Sequence, residues 1–221
     1  MDGLEVVCFD MDGTLLNSGN FGVVAVGRGY EEMISDGRLP GVSGAPDADA
    51  IRAEIGKPPW EFYPALLPDG MKERAEELHG YVIRHEVNMI DEASARLFEG
   101  AREVLDVLKT AGLKLMLVSN CSDNYMNAVV DNFELIHWDY RACVGDKNVG
   151  RTKTGLVGAG LRQLGVSRGV MVGDRFHDRE AAADNGLGFI GCAYGYGKAE
   201  ELEGARAIID DIRELPRALG V

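Results

Sequence analysis

The chain contains few cysteines, and they lie far apart. Its 221 residues include four, Cys8, Cys121, Cys143 and Cys192, and no two of them form a C-x-x-C pair. This spacing indicates neither a zinc site nor a framework of disulfide bonds. Because free thiols are typical of a reducing compartment, we expect a cytoplasmic protein.

Basic side chains are also scarce, and long hydrophobic runs are lacking. The 23 lysines and arginines against 36 acidic residues give a formal net charge of −13. Since a nucleic-acid-binding surface needs a basic face, this charge argues against a nucleic-acid partner. No apolar stretch approaches the roughly 20 residues of a membrane-spanning helix. Asp2 and Glu5 precede only a short apolar run, so we expect no secretory signal either.

The hydrophobic pattern divides the chain into two regions. After a first strand from Leu4 to Phe9, the pattern is helical from Asn17 to Ser94 and is broken by several prolines. From Leu97 onward, helices alternate with short buried strands. This alternation predicts an α/β fold with a Rossmann-like, doubly wound parallel sheet. We predict that residues 1–16 and 95–221 form this core and that residues 17–94 form an inserted α-helical cap.

The most specific motif lies where the first strand ends, in the run from Val6 to Thr14. Asp10 and Asp12 are two residues apart in an extended segment, so their side chains point the same way. Gly13 then allows a sharp turn. Two adjacent carboxylates repel each other unless a cation or a shared proton offsets this repulsion. Hard oxygen ligands of this kind suit Mg²⁺. For this motif alone, an acidic strand end followed by a turn is the alternative.

Polar residues also follow other predicted strands. Ser119 and Asn120 come after one buried strand, Asp174 and Asp178 follow another, and Lys153 begins a helix. Each has a purely structural alternative, as a turn residue, a helix cap or a solvated lysine. Because ligands bind at the carboxyl ends of the strands in such sheets, we expect these side chains to meet the first motif.

In this order the motifs resemble those of the haloacid dehalogenase superfamily of phosphoryl-transfer enzymes, whose first motif is a hydrophobic run followed by D-x-D-G-T. The resemblance implies that Asp10 is the nucleophile that becomes an aspartyl phosphate, that Asp12 is the general acid and base, and that Lys153 offsets charge in catalysis. The implied Mg²⁺ ligands are Asp10, Asp12, Asp174 and Asp178. The implied phosphate-binding residues are Thr14, Ser119, Asn120 and Lys153.

The helical insertion resembles the cap of the phosphoglycolate phosphatase and β-phosphoglucomutase group, which implies a lid over the site. Lys57 lies in a stiff cationic loop, Gly56-Lys57-Pro58-Pro59, and we expect it to bind the non-reacting end of the substrate. A surface position is its alternative. Arg175 stands where related sequences often carry a small Ser or Thr. Either a salt bridge to an acidic side chain or a phosphate contact would explain it.

The resemblance therefore implies Mg²⁺-dependent hydrolysis of a small phosphomonoester, such as phosphoglycolate, a sugar phosphate or a nucleotide. One alternative is a β-phosphoglucomutase-like phosphomutase, which returns the phosphoryl group to a sugar. Another is a non-catalytic phosphate-binding or interaction protein, although such a protein needs neither Asp10 nor Asp12. We expect a small phosphorylated metabolite as the partner and a monomer or homodimer.

Overall fold

A six-stranded parallel sheet forms the centre of the protein, and our computed structural model describes residues 3–91, 95–145 and 150–221. The strand order is β3-β2-β1-β4-β5-β6, so the chain reverses direction across the sheet between β1 and β4. This order confirms the predicted doubly wound α/β fold. The strands are β1 (Val6–Phe9), β2 (Lys114–Ser119), β3 (Tyr140–Cys143), β4 (Gly169–Gly173), β5 (Gly188–Cys192) and β6 (Ala207–Ile209).

Helices cover both faces of the sheet because alternate strand residues point to opposite sides. In β1, Val7 and Phe9 belong to one buried cluster, whereas Val6 and Cys8 belong to another. Strands buried on both faces read as continuous apolar runs, as Val6 to Phe9 does. The helices of the core are α5 (Ala101–Thr110), α6 (Asp123–Asn132), α7 (Lys153–Leu164), α8 (Phe176–Asp184) and α9 (Leu215–Leu219).

Side-chain caps fix where two of these helices begin. The Ser122 hydroxyl accepts the hydrogen bond of the Tyr125 backbone N–H, at 3.3 Å, and starts α6. The Thr152 hydroxyl accepts the hydrogen bond of the Gly155 backbone N–H, at 3.1 Å, and starts α7. Gly165 ends that helix with φ of 65°. Such caps satisfy backbone groups that a helix end leaves unpaired. The cap at Thr152 makes Lys153 the first residue of α7, as the sequence predicts.

In the described residues between β1 and α5 the structure has four α-helices, which agrees with the helical pattern of this region. Within it, α1 and α4 approach so closely that a Cβ on Gly29 would lie 2.6 Å from Val82. Residue 94, the predicted end of the cap, lies outside the described residues, so the limits of the two units stay a prediction. The helices are α1 (Gly19–Ser35), α2 (Ala48–Glu54), α3 (Pro59–Leu66) and α4 (Ala75–Asp91).

Hydrophobic positions of α4 that recur at helical spacing are buried. Leu78, Val82 and Met89 join a cluster that extends from the insertion into the sheet. Their spacing of four and seven residues places them on one helix face, as predicted. Over the ranges described above, no helix combines the length and the apolar character that crossing a membrane requires.

Truncating a central strand residue tests this arrangement. Leu117 in β2 is fully buried, so Leu117→Ala should lower the free energy of unfolding by about 2–5 kcal/mol, because it leaves a cavity. Urea denaturation measures this change. Ile136, which is 88% exposed, provides the control, since Ile136→Ala should change stability by less than about 0.5 kcal/mol. Equal effects of the two substitutions would contradict the central position of β2.

Candidate active site

Three neighbouring strands end in polar residues at the same edge of the sheet. β1 lies between β2 and β4, with Phe9 in register with both Leu117 and Val172. Asp10 directly follows β1, Ser119 ends β2, and Asp174 directly follows β4. Because the strands are parallel, their carboxyl ends meet, at the place where ligands bind in open α/β sheets.

Three buried carboxylates form a cluster at this edge. Single carboxylate oxygens of Asp10, Asp174 and Asp178 all lie within 4.8 Å of one another. The Lys153 ammonium lies 2.9 Å from Asp10 Oδ1 and 2.8 Å from Asp178 Oδ1. Asp10 Oδ2 and Asp174 Oδ1 are buried and accept no hydrogen bond in the described chain. One ammonium cannot balance three carboxylates, so this donor set is compatible with a divalent cation.

Backbone amides hold two members of the cluster in place. Asp174 Oδ2 accepts hydrogen bonds from the backbone N–H of Tyr196, at 2.6 Å, and of Gly197, at 3.3 Å. Only glycine fits at 197, because a Cβ there would lie 1.8 Å from the Asp174 carbonyl oxygen. Asp178 Oδ2 accepts from the Arg175 backbone N–H at 3.0 Å. The sequence pattern did not reveal that the loop after β5 binds Asp174 through the amides of Tyr196 and Gly197.

The charges in the cluster shift one another's proton affinities. Burial raises the pKa of Asp10 to about 6, with the charge of Asp178 adding to this effect. Burial and the charges of Asp10 and Asp178 raise the pKa of Asp174 well above its ordinary value. Burial alone would lower the pKa of Lys153, but Asp10 and Asp178 raise it overall. The carboxylates therefore need a further cation to stay ionised together.

Asp12 lies beside the cluster rather than in it. Its Oδ1 accepts a hydrogen bond from the Tyr125 hydroxyl at 2.8 Å. The described carboxylates within mutual ligand distance do not include Asp12, and its expected role as a metal ligand stays a prediction. Burial, followed by the charge of Asp10, raises the pKa of Asp12 to about 6. A carboxyl group with such a pKa suits proton transfer near neutral pH.

Asp12 faces a narrow cavity of about 70 Å³ between the core and the insertion. Ser119 and Asn120, both predicted to bind phosphate, line it from the core. Asp10, Lys153 and the other cluster residues are not among its lining residues. The insertion contributes residues 55–57 and one face of α4, with His79, Ile83 and Glu86.

Two other predicted binding residues have contacts of their own. The Lys57 side chain lines the cavity, but its ammonium lies 2.6 Å from the Glu54 carboxylate. Thr14 is buried, and its carbonyl accepts a hydrogen bond from the Tyr194 hydroxyl at 2.9 Å. In the described ranges, the structure gives Thr14 no hydrogen bond to the other predicted phosphate-binding residues. Of these two residues, Lys57 lines the cavity, and its charge is paired with Glu54.

Arg175 connects the acidic loop to the insertion. Its Nε lies 3.0 Å from Glu201 Oε2, so the first of the two explanations for this residue, a salt bridge, is the one the structure shows. Its Nη1 also donates hydrogen bonds to the backbone carbonyls of Ala53, at 3.3 Å, and Ile55. These carbonyls belong to the end of α2, where a helix leaves acceptors unpaired. Burial of this guanidinium is thereby compensated.

A second core side chain binds the same loop. Asn120 Nδ2 donates a hydrogen bond to the Gly56 carbonyl at 3.0 Å. Gly56 has φ of 90°, a conformation that side chains rarely adopt, and a Cβ there would lie 3.1 Å from Arg175 Cγ. Arg175 and Asn120 therefore hold the loop before Lys57 against the core.

Comparison with known proteins agrees with this geometry. Residues 4–186 match the model of the haloacid dehalogenase-like hydrolases. The chain belongs to this family. It is 29% identical to the tyrosine-protein kinase PtkA of Mycobacterium tuberculosis, over 98% of its own length and 73% of that protein. It is 27% identical to the phosphoglycolate phosphatase of Caulobacter vibrioides, over 96% and 89% of the two chains.

Solved structures share the whole fold. The crystal structure of a predicted phosphatase from Clostridium acetobutylicum superposes with a TM-score of 0.80 at 23% identity, covering 99% of each chain. At this identity the likeness concerns the fold. Family membership makes the chain an enzyme of the hydrolase class, and the phosphoglycolate phosphatases among its relatives support a phosphatase.

Removing the Arg175 side chain should loosen the loop that it holds. Hydrogen bonds to charged groups contribute about 1.5–3 kcal/mol, so Arg175→Ala should speed hydrogen exchange of the Ile55 and Lys57 amides about 10- to 100-fold. Hydrogen-exchange mass spectrometry measures this. Arg52→Ala is the control. Arg52 lies on α2, the helix that leads into this loop, but its side chain pairs with Asp49 on the surface. Unchanged exchange in Arg175→Ala would refute the link.

Proposed function

We propose that this enzyme is a Mg²⁺-dependent phosphatase that hydrolyses a small phosphomonoester through a phosphorylated Asp10. The observation that supports it most strongly is the buried cluster of Asp10, Asp174 and Asp178, in which the Lys153 ammonium contacts Asp10 and Asp178. Such an arrangement combines a nucleophilic carboxylate with groups suited to a cation and to phosphoryl oxygens.

Asp10 is the proposed nucleophile. An Asp10 carboxylate oxygen forms a bond to phosphorus as the bond from phosphorus to the leaving oxygen breaks. Asp12, with its raised pKa, gives its proton to that leaving oxygen. A water molecule then attacks the same phosphorus, Asp12 takes a proton from it, and the bond to Asp10 breaks. Inorganic phosphate is released and both carboxyl groups return to their starting states.

Several groups would stabilise the charge that develops on the phosphoryl oxygens. Lys153 supplies a buried positive charge, while the Ser119 hydroxyl and the Asn120 backbone N–H supply hydrogen-bond donors. Bound Mg²⁺ would be held by Asp10, Asp174 and Asp178 and would offset negative charge on the nucleophile and the phosphoryl group. Because phosphoryl transfer depends chiefly on position and charge, these contacts would supply most of the catalysis.

The insertion is the proposed lid of this site. Its loop from Ile55 to Lys57 closes one wall of the cavity, and two core side chains bind that loop. A closed lid excludes water while the substrate alcohol leaves, and it has to open for product release. Lys57 remains a proposed contact for an acceptor oxygen in the non-reacting part of the substrate, once that oxygen displaces the pairing with Glu54.

Release of inorganic phosphate from a panel of phosphomonoesters tests the proposal. With Mg²⁺ the protein should hydrolyse at least one compound, and a chelator should abolish this activity because the three carboxylates lose their cation. Asp10→Asn should release no phosphate, since the nucleophile is gone. Asp69→Asn is the matched control, because the Asp69 side chain is 98% exposed. Full activity of Asp10→Asn, or activity indifferent to the chelator, would contradict the mechanism.

Transfer to a hydroxyl group is the second candidate, and the similarity to a tyrosine-protein kinase favours keeping it. The same Asp10 chemistry would then pass the phosphoryl group to an alcohol or phenol instead of water. For a phosphomutase, β-glucose 1-phosphate with a bisphosphate primer should give an isomer without free phosphate. Bound Mg²⁺ with neither release nor transfer would indicate the non-catalytic binding protein.

The proposal places the enzyme in the cytoplasm as a monomer or homodimer acting on a phosphorylated metabolite. All four cysteines are free thiols, which supports a reducing compartment. The acidic net charge supports a small substrate over a nucleic acid.

A further inference from the structure

One face of α4 lines the same cavity as Ser119 and Asn120. His79, Ile83 and Glu86 are spaced by four and three residues, so they share this face. Glu86 is partly buried, and the structure gives it no hydrogen bond or ion pair within the described ranges. A carboxyl group withdrawn from water is costly unless another group pairs with it. The proposed mechanism makes no use of it.

Within the part of the chain that the structure describes, the residues lining the cavity give Glu86 no ion pair. The basic side chains among the lining residues are Lys57, which is paired with Glu54, and His79, whose ring stacks on Tyr63 at 4.6 Å between centroids.

The remaining polar groups nearby add negative charge or are engaged elsewhere. Asp12 faces the same cavity, and the Tyr125 hydroxyl already donates to Asp12. Burial, followed by the charge of Asp12, raises the pKa of Glu86 to about 8. Once Glu86 is ionised, above this pKa, a ligand in the cavity meets an unpaired acceptor.

We propose that Glu86 selects substrates whose leaving alcohol carries a hydrogen-bond donor, an ammonium or hydroxyl group, and disfavours those that carry a carboxylate. This inference rests on the proposed function, because Asp12 must protonate the leaving oxygen within this cavity. The far end of a short leaving alcohol then lies on the side of α4. An ammonium or hydroxyl group there would satisfy Glu86, whereas a second carboxylate would add repulsion.

The contrast with part of the family is specific. Relatives of this chain include proteins named phosphoglycolate phosphatase, and phosphoglycolate presents a carboxylate at the end that would meet Glu86. The same reaction at Asp10 is therefore compatible with a different class of substrate. The leaving group would contact the cavity wall and not the acidic cluster.

Three substrates of similar length test the selection. Phosphoethanolamine carries an ammonium group, glycerol 3-phosphate carries hydroxyl groups, and phosphoglycolate carries a carboxylate. The ratio of kcat/KM for a donor-bearing substrate to kcat/KM for phosphoglycolate should rise as the pH passes the pKa of Glu86, about 8, and should reach at least about tenfold near pH 9. Ionisation of Asp12 at lower pH slows all three substrates alike and therefore cancels in this ratio. The two donor-bearing compounds distinguish ammonium from hydroxyl recognition.

Glu86→Gln keeps the shape of the side chain but removes its charge. It should raise kcat/KM for phosphoglycolate and lower kcat/KM for phosphoethanolamine, each by about tenfold. The two values therefore change in opposite directions. Glu73→Gln is the matched control, since Glu73 is exposed just before α4. Thermal unfolding of Glu86→Gln checks the fold, and its melting temperature should not fall, because an unpaired carboxyl group is lost.

The outcomes separate the two proposals. A wild-type preference for phosphoglycolate would overturn the selection, as would changes below about twofold in Glu86→Gln, and hydrolysis in either case would leave the proposed function intact. Absence of hydrolysis of every phosphomonoester would overturn the proposed function and the selection with it.

Discussion

The excess of buried negative charge at the end of β1 is the constraint on which the rest of the site depends. Asp10, Asp174 and Asp178 lie within ligand distance of one another, and the ion pairs that the described residues form with this cluster come from Lys153, which contacts Asp10 and Asp178. Carboxylates removed from water at such distances stay ionised together only if cations balance them. The sheet gathers these acids because the carboxyl ends of its parallel strands lie side by side. In the proposed chemistry, the cation that balances the acids would also balance the charge of a phosphoryl group.

The positions of these residues could be predicted from the sequence because local rules determine them. Asp10 and Asp174 each follow a continuous apolar run, and parallel strands place such ends side by side. The cap at Thr152 determines where α7 begins and hence where Lys153 lies. Period and capping are properties of short segments, so one sequence carries enough information for them.

Contacts across long sequence separations could not be predicted in this way. Tyr125 donates to Asp12 across 113 residues, and Arg175 reaches the carbonyl of Ile55 across 120. No spacing rule distinguishes Tyr125 from any other tyrosine on a helix. The Asp12 carboxylate faces the cavity, a direction that its position in the sequence does not reveal. Tertiary packing decides such directions, and local pattern does not.

The insertion and the core therefore carry different parts of the proposed function. The core supplies the proposed reacting groups, Asp10 and Asp12, and the buried Lys153 beside Asp10. Residues of the insertion form the wall that a leaving group would contact, and its loop is held by Arg175 and Asn120. Substrate selection can change through residues such as Glu86 without any change in the acidic cluster.

Mg²⁺ binding to the cluster is the central claim, and thermal unfolding at increasing Mg²⁺ concentration tests it most directly. A ligand that binds only the folded state stabilises it by about 2.7 kcal/mol at a hundredfold excess over its Kd. The melting temperature should therefore rise with Mg²⁺ in a saturable manner, and Asp174→Asn should remove most of that rise. A melting temperature that is the same with Mg²⁺ as with a chelator would contradict the account.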